Sequence, residues 1–351
     1  MTTPSAWQPR APVRWGILGC GDVTEVKSGP GFQKAEGSQL VAVMRRNAAL
    51  AQDYARRHAV PKWYSDADAL IRDPEVDAVY IATPPGSHLE YALRVCAAGK
   101  PAYVEKPLAR SAAECDQMLA AFARARLPLF VAYYRRAQPR FLKVKELLGS
   151  GVLGQLTGIR YHYSEPKHRA LAAELPWRLD AAVAGGGFFL DLGSHTLDLL
   201  DFFFGPLLDV AGHAANLASP YAVEDSLAMT FRTAAGVPGT ASWNFAAAAT
   251  EDLFQFTGTA GRLSVPTFSL DPIRLETSAG TQTFELPNPP HVAQPLIQTV
   301  VDDLLGLGSC PSTGESAART SRVMDQVLDS YYGGRADAFW TRPHSWPGRR
   351  Q

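Results

Sequence analysis

Val13-Arg14-Trp15-Gly16-Ile17-Leu18-Gly19-Cys20-Gly21-Asp22-Val23-Thr24 is the stretch whose reading decides the fold. Val13 to Leu18 reads as a strand buried on both faces, and it feeds directly into a G-x-G-x-x-T turn on Gly19 and Gly21. Gly19 permits the tight turn, and Gly21 lets the backbone come close to a pyrophosphate without a Cβ in the way. Backbone N–H groups from Gly19 through Cys20, Gly21, Asp22 and Val23 would then face the phosphates. Alone, such a turn is equally a bland glycine bend. Its place after the first buried strand of a strand–helix series gives it weight as a dinucleotide loop. Thr24 stands where the pattern favours Gly or Ala, and Gly29-Pro30-Gly31 predicts an early break with the helix restarting at Pro30.

Working outward, Gln39 to Met44, Ala78 to Ala82, Ala102 to Val104 and Leu129 to Tyr133 read as further strands. Helical patterns separate them: one capped by Asn47 with Ala51, Tyr54 and Ala55 inward, one capped by Ser87 and stopped near Gly99, one capped by Ser111 and running to about Arg126. This alternation predicts an α/β Rossmann domain with a parallel, doubly wound sheet over residues 13–135, after a disordered leader at 1–12. The pattern then changes. Gln155 to Tyr163, Ser226 to Arg232, Gly239 to Phe245, Leu253 to Thr257, Arg262 to Val265 and Ile273 to Thr277 are strand-like, with turn residues such as Gly258, Gly261, Pro266 and Pro272 between them. Two helical patterns, about Val292 to Leu307 and Gly314 to Tyr332, close the chain. Residues 136–351 are therefore expected to form an α+β domain with a large, mostly antiparallel open sheet covered by helices on one face.

Bulk composition narrows the function. At 351 residues, two domains are expected. Lys+Arg and Asp+Glu balance at 34 each, so no net positive charge favours nucleic acid or an anionic membrane. No apolar run approaches the roughly 20 residues that span a bilayer, and the polar, Pro-rich leader lacks the apolar core of a secretion signal. Cys20, Cys96, Cys115 and Cys310 show no paired spacing, which argues against a disulfide framework or a CxxC metal site and fits a cytoplasmic protein.

The end of the second strand tests cofactor choice. An NAD site usually places Asp or Glu there for the ribose 2′-hydroxyl, whereas this chain has Arg45 and Arg46. Planar guanidinium groups suit a 2′-phosphate, so NADP is favoured over NAD. Thr83, Pro84, Pro85 and His88 follow another strand, where doubly wound sheets place ligands and where a proline-stiffened loop can lie along the nicotinamide. Glu105-Lys106-Pro107 follows the next strand, and a lysine there can stabilise charge developing on a reacting oxygen. In Gly185-Gly186-Gly187-Phe188-Phe189-Leu190-Asp191-Leu192-Gly193-Ser194-His195-Thr196-Leu197-Asp198 the pattern after the glycines is helical, so Asp191 and His195 fall one turn apart on one face. A histidine beside a carboxylate suits proton exchange near neutral pH; a capped helix with a satisfied core histidine fits the same spacing. No other histidine or cysteine spacing supports a metal site.

In order and spacing, GILGCG at 16–21, ATPPGSH at 82–88, EKP at 105–107, W-R-x-D at 177–180 and GGGFFLDLGSHTLD at 185–198 resemble the glucose–fructose oxidoreductase, inositol dehydrogenase and rhizopine catabolism (Gfo/Idh/MocA) oxidoreductases. The resemblance implies hydride transfer between a nicotinamide cofactor and a sugar, cyclitol or related polyol. It implies Lys106, Asp191 and His195 as the catalytic set: His195 exchanging the hydroxyl proton, Lys106 holding the reacting oxygen, Asp191 orienting substrate or tuning His195. It also implies a homodimer or homotetramer through the C-terminal sheet. Trp177 and Arg178, just before the glycine run, are candidates for the substrate wall or for packing. Glu165, His168 and Arg169 are candidates for specificity, and Tyr133, Tyr134, Arg135 and Arg136 lie at the domain crossover. Two other readings share these motifs: a nicotinamide-dependent glycosidase or epimerase-like enzyme with no net redox change, and a non-catalytic dinucleotide-binding regulator.

Overall fold

The computed structural model describes residues 7, 11–167 and 175–349. It forms two compact units. One comprises residues up to Ala109 with Glu114–Gln138 and Pro289–Ala318; the other comprises Arg110–Ala113, Pro139–Asn288 and the chain from Arg319 onward.

The first unit is built on β1 (Val13–Leu18), β2 (Ser38–Met44), β3 (Lys62–Tyr64), β4 (Ala78–Ile81), β5 (Ala102–Val104) and β6 (Leu129–Val131), all parallel in the order β3-β2-β1-β4-β5-β6. Period-2 alternation sorts the side chains into two layers. Trp15, Ile17, Val43, Tyr80 and Tyr103 pack on one face, and Leu18, Met44, Val79, Ile81 and Val104 on the other. Both faces are buried, which is why these strands read as continuous apolar runs. Asn47 caps Ala48–Arg57 as expected, its side chain accepting the Leu50 N–H at 3.1 Å.

From β1 the chain runs outward through β2 to β3 and then returns to β4 on the other side of β1, so the strand order reverses at β1. Ligands of doubly wound sheets bind at that reversal.

The helix Gln294–Leu304 was expected with the C-terminal region, but it belongs to the first unit. Leu296, Ile297, Val300, Val301 and Leu304 are all buried in the layer that holds Trp15 and Phe32. Burying such side chains is worth roughly 1.5–3 kcal/mol each, enough to fix where this helix docks. Gly31 makes the approach possible, because a Cβ there would lie 2.7 Å from the Ile297 Cδ1 atom. The Gly-Pro-Gly break thus serves packing, with the helix restarting as Gly29–Lys34.

The second unit carries β7 (Leu156–Ser164), β8 (Leu208–Ala215), β9 (Ser226–Arg232), β10 (Pro238–Asn244), β11 (Glu251–Gly258), β12 (Gly261–Val265), β13 (Ile273–Thr277) and β14 (Gly280–Phe284) in one sheet ordered β14-β13-β12-β11-β7-β10-β9-β8. Every neighbouring pair is antiparallel except β7 with β10. Ile159, Tyr161 and Tyr163 of β7 point into a core shared with Phe141 and Val144 of the helix Pro139–Gly149, and with Leu197 and Leu200 of the helix Ser194–Phe204. Arg160, Thr230 and Thr240 lie side by side on the opposite, exposed face. No helix among the described residues is long and apolar enough to cross a membrane.

The glycine run at 185–187 is set by a buried carboxylate. The Gly187 N–H donates to Glu224 Oε1 at 2.9 Å, and the Tyr332 hydroxyl donates to the other oxygen. Glu224 is fully buried, and desolvation raises its pKa above the ordinary glutamate value. A Cβ on Gly187 would lie 2.6 Å from the Glu224 carbonyl oxygen, so no larger residue fits. We expect Gly187→Ala to cost about 1–3 kcal/mol, the usual penalty for overpacking, read by calorimetry as a lowered unfolding midpoint. Gly158→Ala is the control, since nothing lies within 4 Å of its added methyl. Equal midpoints for both variants would contradict this account of the glycine run.

Candidate active site

At the carboxyl end of β1, Gly19 adopts φ +86°, and a Cβ there would meet the Thr83 Cγ2 atom at 2.8 Å. Glycine is therefore required for both conformation and space. The N–H groups of Gly19 and Cys20 both donate to the Met44 carbonyl, at 2.9 and 3.1 Å. Those two donors are committed to the sheet. The helix Asp22–Val26 starts immediately afterwards, and its first-turn N–H groups at Asp22 and Val23 have no acceptor within the helix. Gly21 differs from Gly19: its φ is −127°, and an added Cβ would meet only the Gly19 carbonyl oxygen, at 3.9 Å. The fold does not need glycine at 21, and the space in front of that backbone is open. This open cradle over free N–H groups fits a dinucleotide phosphate.

Thr24, at the position where the motif favours a smaller residue, is fully buried and bonds back to the Gly21 carbonyl at 2.7 Å. Its own carbonyl accepts the Tyr54 hydroxyl at 2.8 Å, so the threonine tightens the turn. Cys20 is buried, and burial pushes its thiol up to about 11; its contribution to the loop is its backbone. Arg45 influences that thiol electrostatically and so lies beside the turn. Among the described residues no carboxylate pairs with Arg45 or Arg46, whereas Arg14, Arg56, Arg57 and Arg94 all have acidic partners.

The other first-unit candidates divide in two. Thr83, Pro84 and Pro85 form the turn after β4, and Ser87 Oγ bonds Thr83 Oγ1 at 2.8 Å and the Pro84 carbonyl at 3.0 Å. His88, expected at the cofactor, is fully buried. Its Nε2 lies 2.7 Å from the Thr83 carbonyl, and its Nδ1 lies 3.1 and 3.2 Å from those of Pro107 and Leu108. Burial lowers its pKa. It ties the 83–88 turn to the segment carrying Lys106 and presents no atom to solvent. Glu105 lies beneath that segment. It accepts the Tyr80 hydroxyl and the Lys106 N–H, the latter at 3.1 Å, and burial raises its pKa. Tyr80 also reaches Ser28 Oγ at 3.2 Å, so one chain of contacts joins the Lys106 backbone to the start of Gly29–Lys34.

Asp191 and His195 belong to the second unit. Residues Phe189–Gly193 wind as a π-helical turn, and the α-helix Ser194–Phe204 follows. The uninterrupted α-helix expected from the pattern is therefore locally widened just where Asp191 sits. Such turns recur at functional sites. Asp191 Oδ2 accepts from Arg178 Nε at 3.0 Å, and the Arg178 guanidinium lies 4.4 Å from the Trp177 ring centre. His195 is only 4% exposed, with the Phe268 ring set edge-on at 6.2 Å. Tyr163 packs on Phe268 at 5.1 Å and donates its hydroxyl to Glu165. Burial first, then Glu165 and the nearby charges of Asp252 and Asp191, push the Tyr163 phenol well above its ordinary value. Lys167 pairs with Glu165 at 3.1 Å.

Tyr163 and Phe268 were not singled out in the sequence. Strand periodicity does place Tyr163 on the inner face at the end of β7, two residues before Glu165. Of the other specificity candidates, His168 and Arg169 lie outside the described residues. At the crossover, Arg135 and Arg136 are buried, Arg135 bonding the Tyr134 hydroxyl at 2.8 Å and Arg136 the Pro311 carbonyl at 2.9 Å. Among the described residues no group of three acidic, histidine or cysteine side chains is placed to hold a metal.

A Rossmann unit with an open glycine cradle, and in the same chain a mostly antiparallel sheet unit whose buried histidine follows an aspartate on the next helical element, fit a nicotinamide-linked oxidoreductase. Residues 13–133 match the model of the oxidoreductase family with an NAD-binding Rossmann fold, residues 141–264 match the GFO/IDH/MocA C-terminal domain, and the chain belongs to this GFO/IDH/MocA family. It is 38% identical over 315 residues to Oxidoreductase P35 of Formosa agariphila, covering 89% of this chain and 97% of that one. It is 27% identical over 282 residues to the trans-1,2-dihydrobenzene-1,2-diol dehydrogenase of Danio rerio, covering 79% and 81%. Among solved structures, a levoglucosan dehydrogenase in complex with NADH and levoglucosan superimposes with a TM-score of 0.81 at 22% identity, covering 91% of this chain and 96% of that one.

The two glycines of the turn should separate folding from binding. We expect Gly21→Ala to keep the wild-type unfolding midpoint and to weaken nicotinamide dinucleotide binding by tenfold or more, a loss of about 1.4 kcal/mol per decade. Gly19→Ala should lose both. Unchanged affinity in Gly21→Ala, measured by quenching or enhancement of nicotinamide fluorescence, would show that the open space at 21 is not the phosphate cradle.

Proposed function

We propose that this protein is an NADP-preferring dehydrogenase or reductase acting on a CH–OH carbon of a sugar, cyclitol or related polyol. The observation that carries the reading is His195, a buried imidazole in the helix directly after the Asp191 turn. The names of the diol and levoglucosan dehydrogenases among its relatives support the substrate class. Lys106, Asp191 and His195 are the proposed catalytic set. The nicotinamide ring, when bound, supplies or accepts the hydride. His195 takes the hydroxyl proton in oxidation and returns it in reduction. Lys106 hydrogen-bonds the reacting oxygen and favours its deprotonated form. Asp191, itself oriented by Arg178, holds a substrate hydroxyl or steadies the charged imidazole. Trp177 and Arg178 wall the substrate.

Gly21, Asp22 and Val23, with Thr83, Pro84 and Pro85, carry the dinucleotide, on a turn shaped by Gly19 and Cys20 and braced from behind by Glu105 and His88. Arg45 and Arg46, which pair with no carboxylate among the described residues, select NADP, because two guanidinium groups can receive a 2′-phosphate. We further propose that the units are the dinucleotide and substrate domains. Copies of the chain would pair through the exposed sheet face at Arg160, Thr230 and Thr240, in the cytoplasm.

In a fluorescence titration, NADPH should bind more tightly than NADH. Arg45→Ala with Arg46→Ala should erase that preference, removing charge-assisted bonds worth about 1.5–3 kcal/mol each. Against a polyol panel, His195→Ala and Lys106→Met should each lower kcat by roughly 10²- to 10⁴-fold while the chain stays folded, the range expected for loss of a general acid–base group. Tighter NADH binding would overturn the assigned role of the arginines. Glycoside cleavage with no change in cofactor redox state would overturn net hydride transfer.

A further inference from the structure

His195 has an aromatic neighbour, Phe268, that arrives on a loop far away in sequence, and that loop is held in an unusual manner. Residues 266–272 connect β12 to β13 without forming a strand or helix. A free connection of this kind would normally be mobile. Here its backbone is gripped from both sides. Asp252, on β11, accepts three successive N–H groups: Thr267 at 3.0 Å on Oδ1, and Phe268 at 2.5 Å and Ser269 at 3.3 Å on Oδ2. Arg140, at the start of the helix Pro139–Gly149, donates to the carbonyls of the same loop: Ser269 at 2.9 Å, Asp271 at 3.0 Å and Pro266 at 3.5 Å. Arg140 is only 4% exposed. A guanidinium taken out of water at this cost is retained where its fixed fork of donors meets several acceptors at once.

Burial holds the start of the loop, where Pro266 and Thr267 are buried, and loosens toward its tip. Leu270 at its tip is 65% exposed, and Phe268 is half-buried with its ring against His195 and Tyr163. The backbone on either side of that ring is bonded by the two charged groups, so they set where the partly buried ring sits on the core.

We propose that Arg140 and Asp252 are positioning residues of the His195 centre: they clamp the 266–272 loop between them and so hold the Phe268 ring against the imidazole. Neither side chain touches the reacting atoms. Each acts through the loop, fixing the orientation of His195 and closing one side of it to water. The inference rests on the proposed role of His195 only for its kinetic consequence; the positioning itself is a property of the fold.

The direct test reads the ring position without turnover. In the full chain with carbon-13-labelled histidine, the His195 ring resonance is the one lost in His195→Gln. A phenylalanine ring edge-on to the imidazole displaces that resonance by its ring current. Phe268→Ala should move it, and Arg140→Met and Asp252→Asn should move it in the same direction, with faster amide hydrogen exchange at Thr267 to Ser269. Arg140→Lys, which keeps a cation with fewer donors, should restore it in part. If Arg140→Met does not fold, Asp252→Asn and Arg140→Lys still decide the matter. Kinetically, each clamp variant should lower kcat by roughly 10- to 100-fold, the scale on which a shift of about 1 Å acts. In a Phe268→Ala background, Arg140→Met should cost less than about twofold, because both act through the same ring. Clamp variants that leave the His195 resonance and loop exchange at their wild-type values, or kinetic losses that add fully to that of Phe268→Ala, would overturn the proposal. Full activity in His195→Ala would instead refute the catalytic reading and leave the resonance test standing.

Discussion

The Met44 carbonyl, which accepts the N–H groups of both Gly19 and Cys20, fixes the geometry on which the cofactor end depends. One oxygen at the end of β2 anchors the turn leaving β1, so the glycine loop and the residues after Met44 are held together. Arg45 and Arg46 are the next two residues, so they leave the sheet beside the glycine turn. The glycine turn and the two arginines thus share one anchor. The glycine at 19 is needed by the protein itself, whereas the glycine at 21 leaves open space. Among the described residues, the nearest atom to a Cβ at 21 would be the Gly19 carbonyl oxygen, at 3.9 Å.

The second unit solves a different problem. It must present a charged, hydrogen-bonding surface while resting on an apolar sheet. The glycine run lets the backbone sit on buried Glu224, and the π-helical turn that follows turns Asp191 toward Arg178 before the helix carrying His195 begins. Trp243 fixes that helix to the sheet, its indole N–H donating to Thr196 Oγ1 at 3.2 Å. The proposed catalytic side chains are therefore carried on backbone held by other, buried groups. The same division holds at Lys106, where His88 and Glu105 brace the backbone from the buried side.

Much of this was legible in the sequence because its signals are local. β1 falls at the expected Val13–Leu18, the last long helix at Gly314–Tyr332, and Asn47 caps its helix, since burial on both faces, strong helical periodicity and capping chemistry are written within a few residues. β8 and β14 were not foreseen. Both are exposed edge strands: β8 carries three alanines and a glycine, and β14 has one apolar residue, Phe284, in five, so neither shows the apolar alternation of a half-buried strand. β3, three residues long, is too short to leave a period. The helix Gln294–Leu304 was recognised as a helix, but its partner is Phe32, more than 250 residues earlier, and no local pattern encodes that. At the site, Asp191, His195 and Lys106 stood out through motif and resemblance. Tyr163 and Phe268 did not, because their significance lies in contacts made across the sheet. His88 stood out for the wrong reason: its place in the motif suggested a ligand contact, whereas burial makes it a strut.

The central claim is that hydride passes between a nicotinamide and a carbinol carbon. Its most direct test is isotopic. The protein is incubated with NADPH deuterated at C4 and the ketone or aldehyde form of a polyol it reduces, and the product is analysed by mass spectrometry. The account predicts one deuterium per product molecule, fixed on the new CH–OH carbon and not exchangeable with water, from one face of the nicotinamide only. Product without deuterium, or cofactor that keeps its label while the substrate is changed, would contradict it.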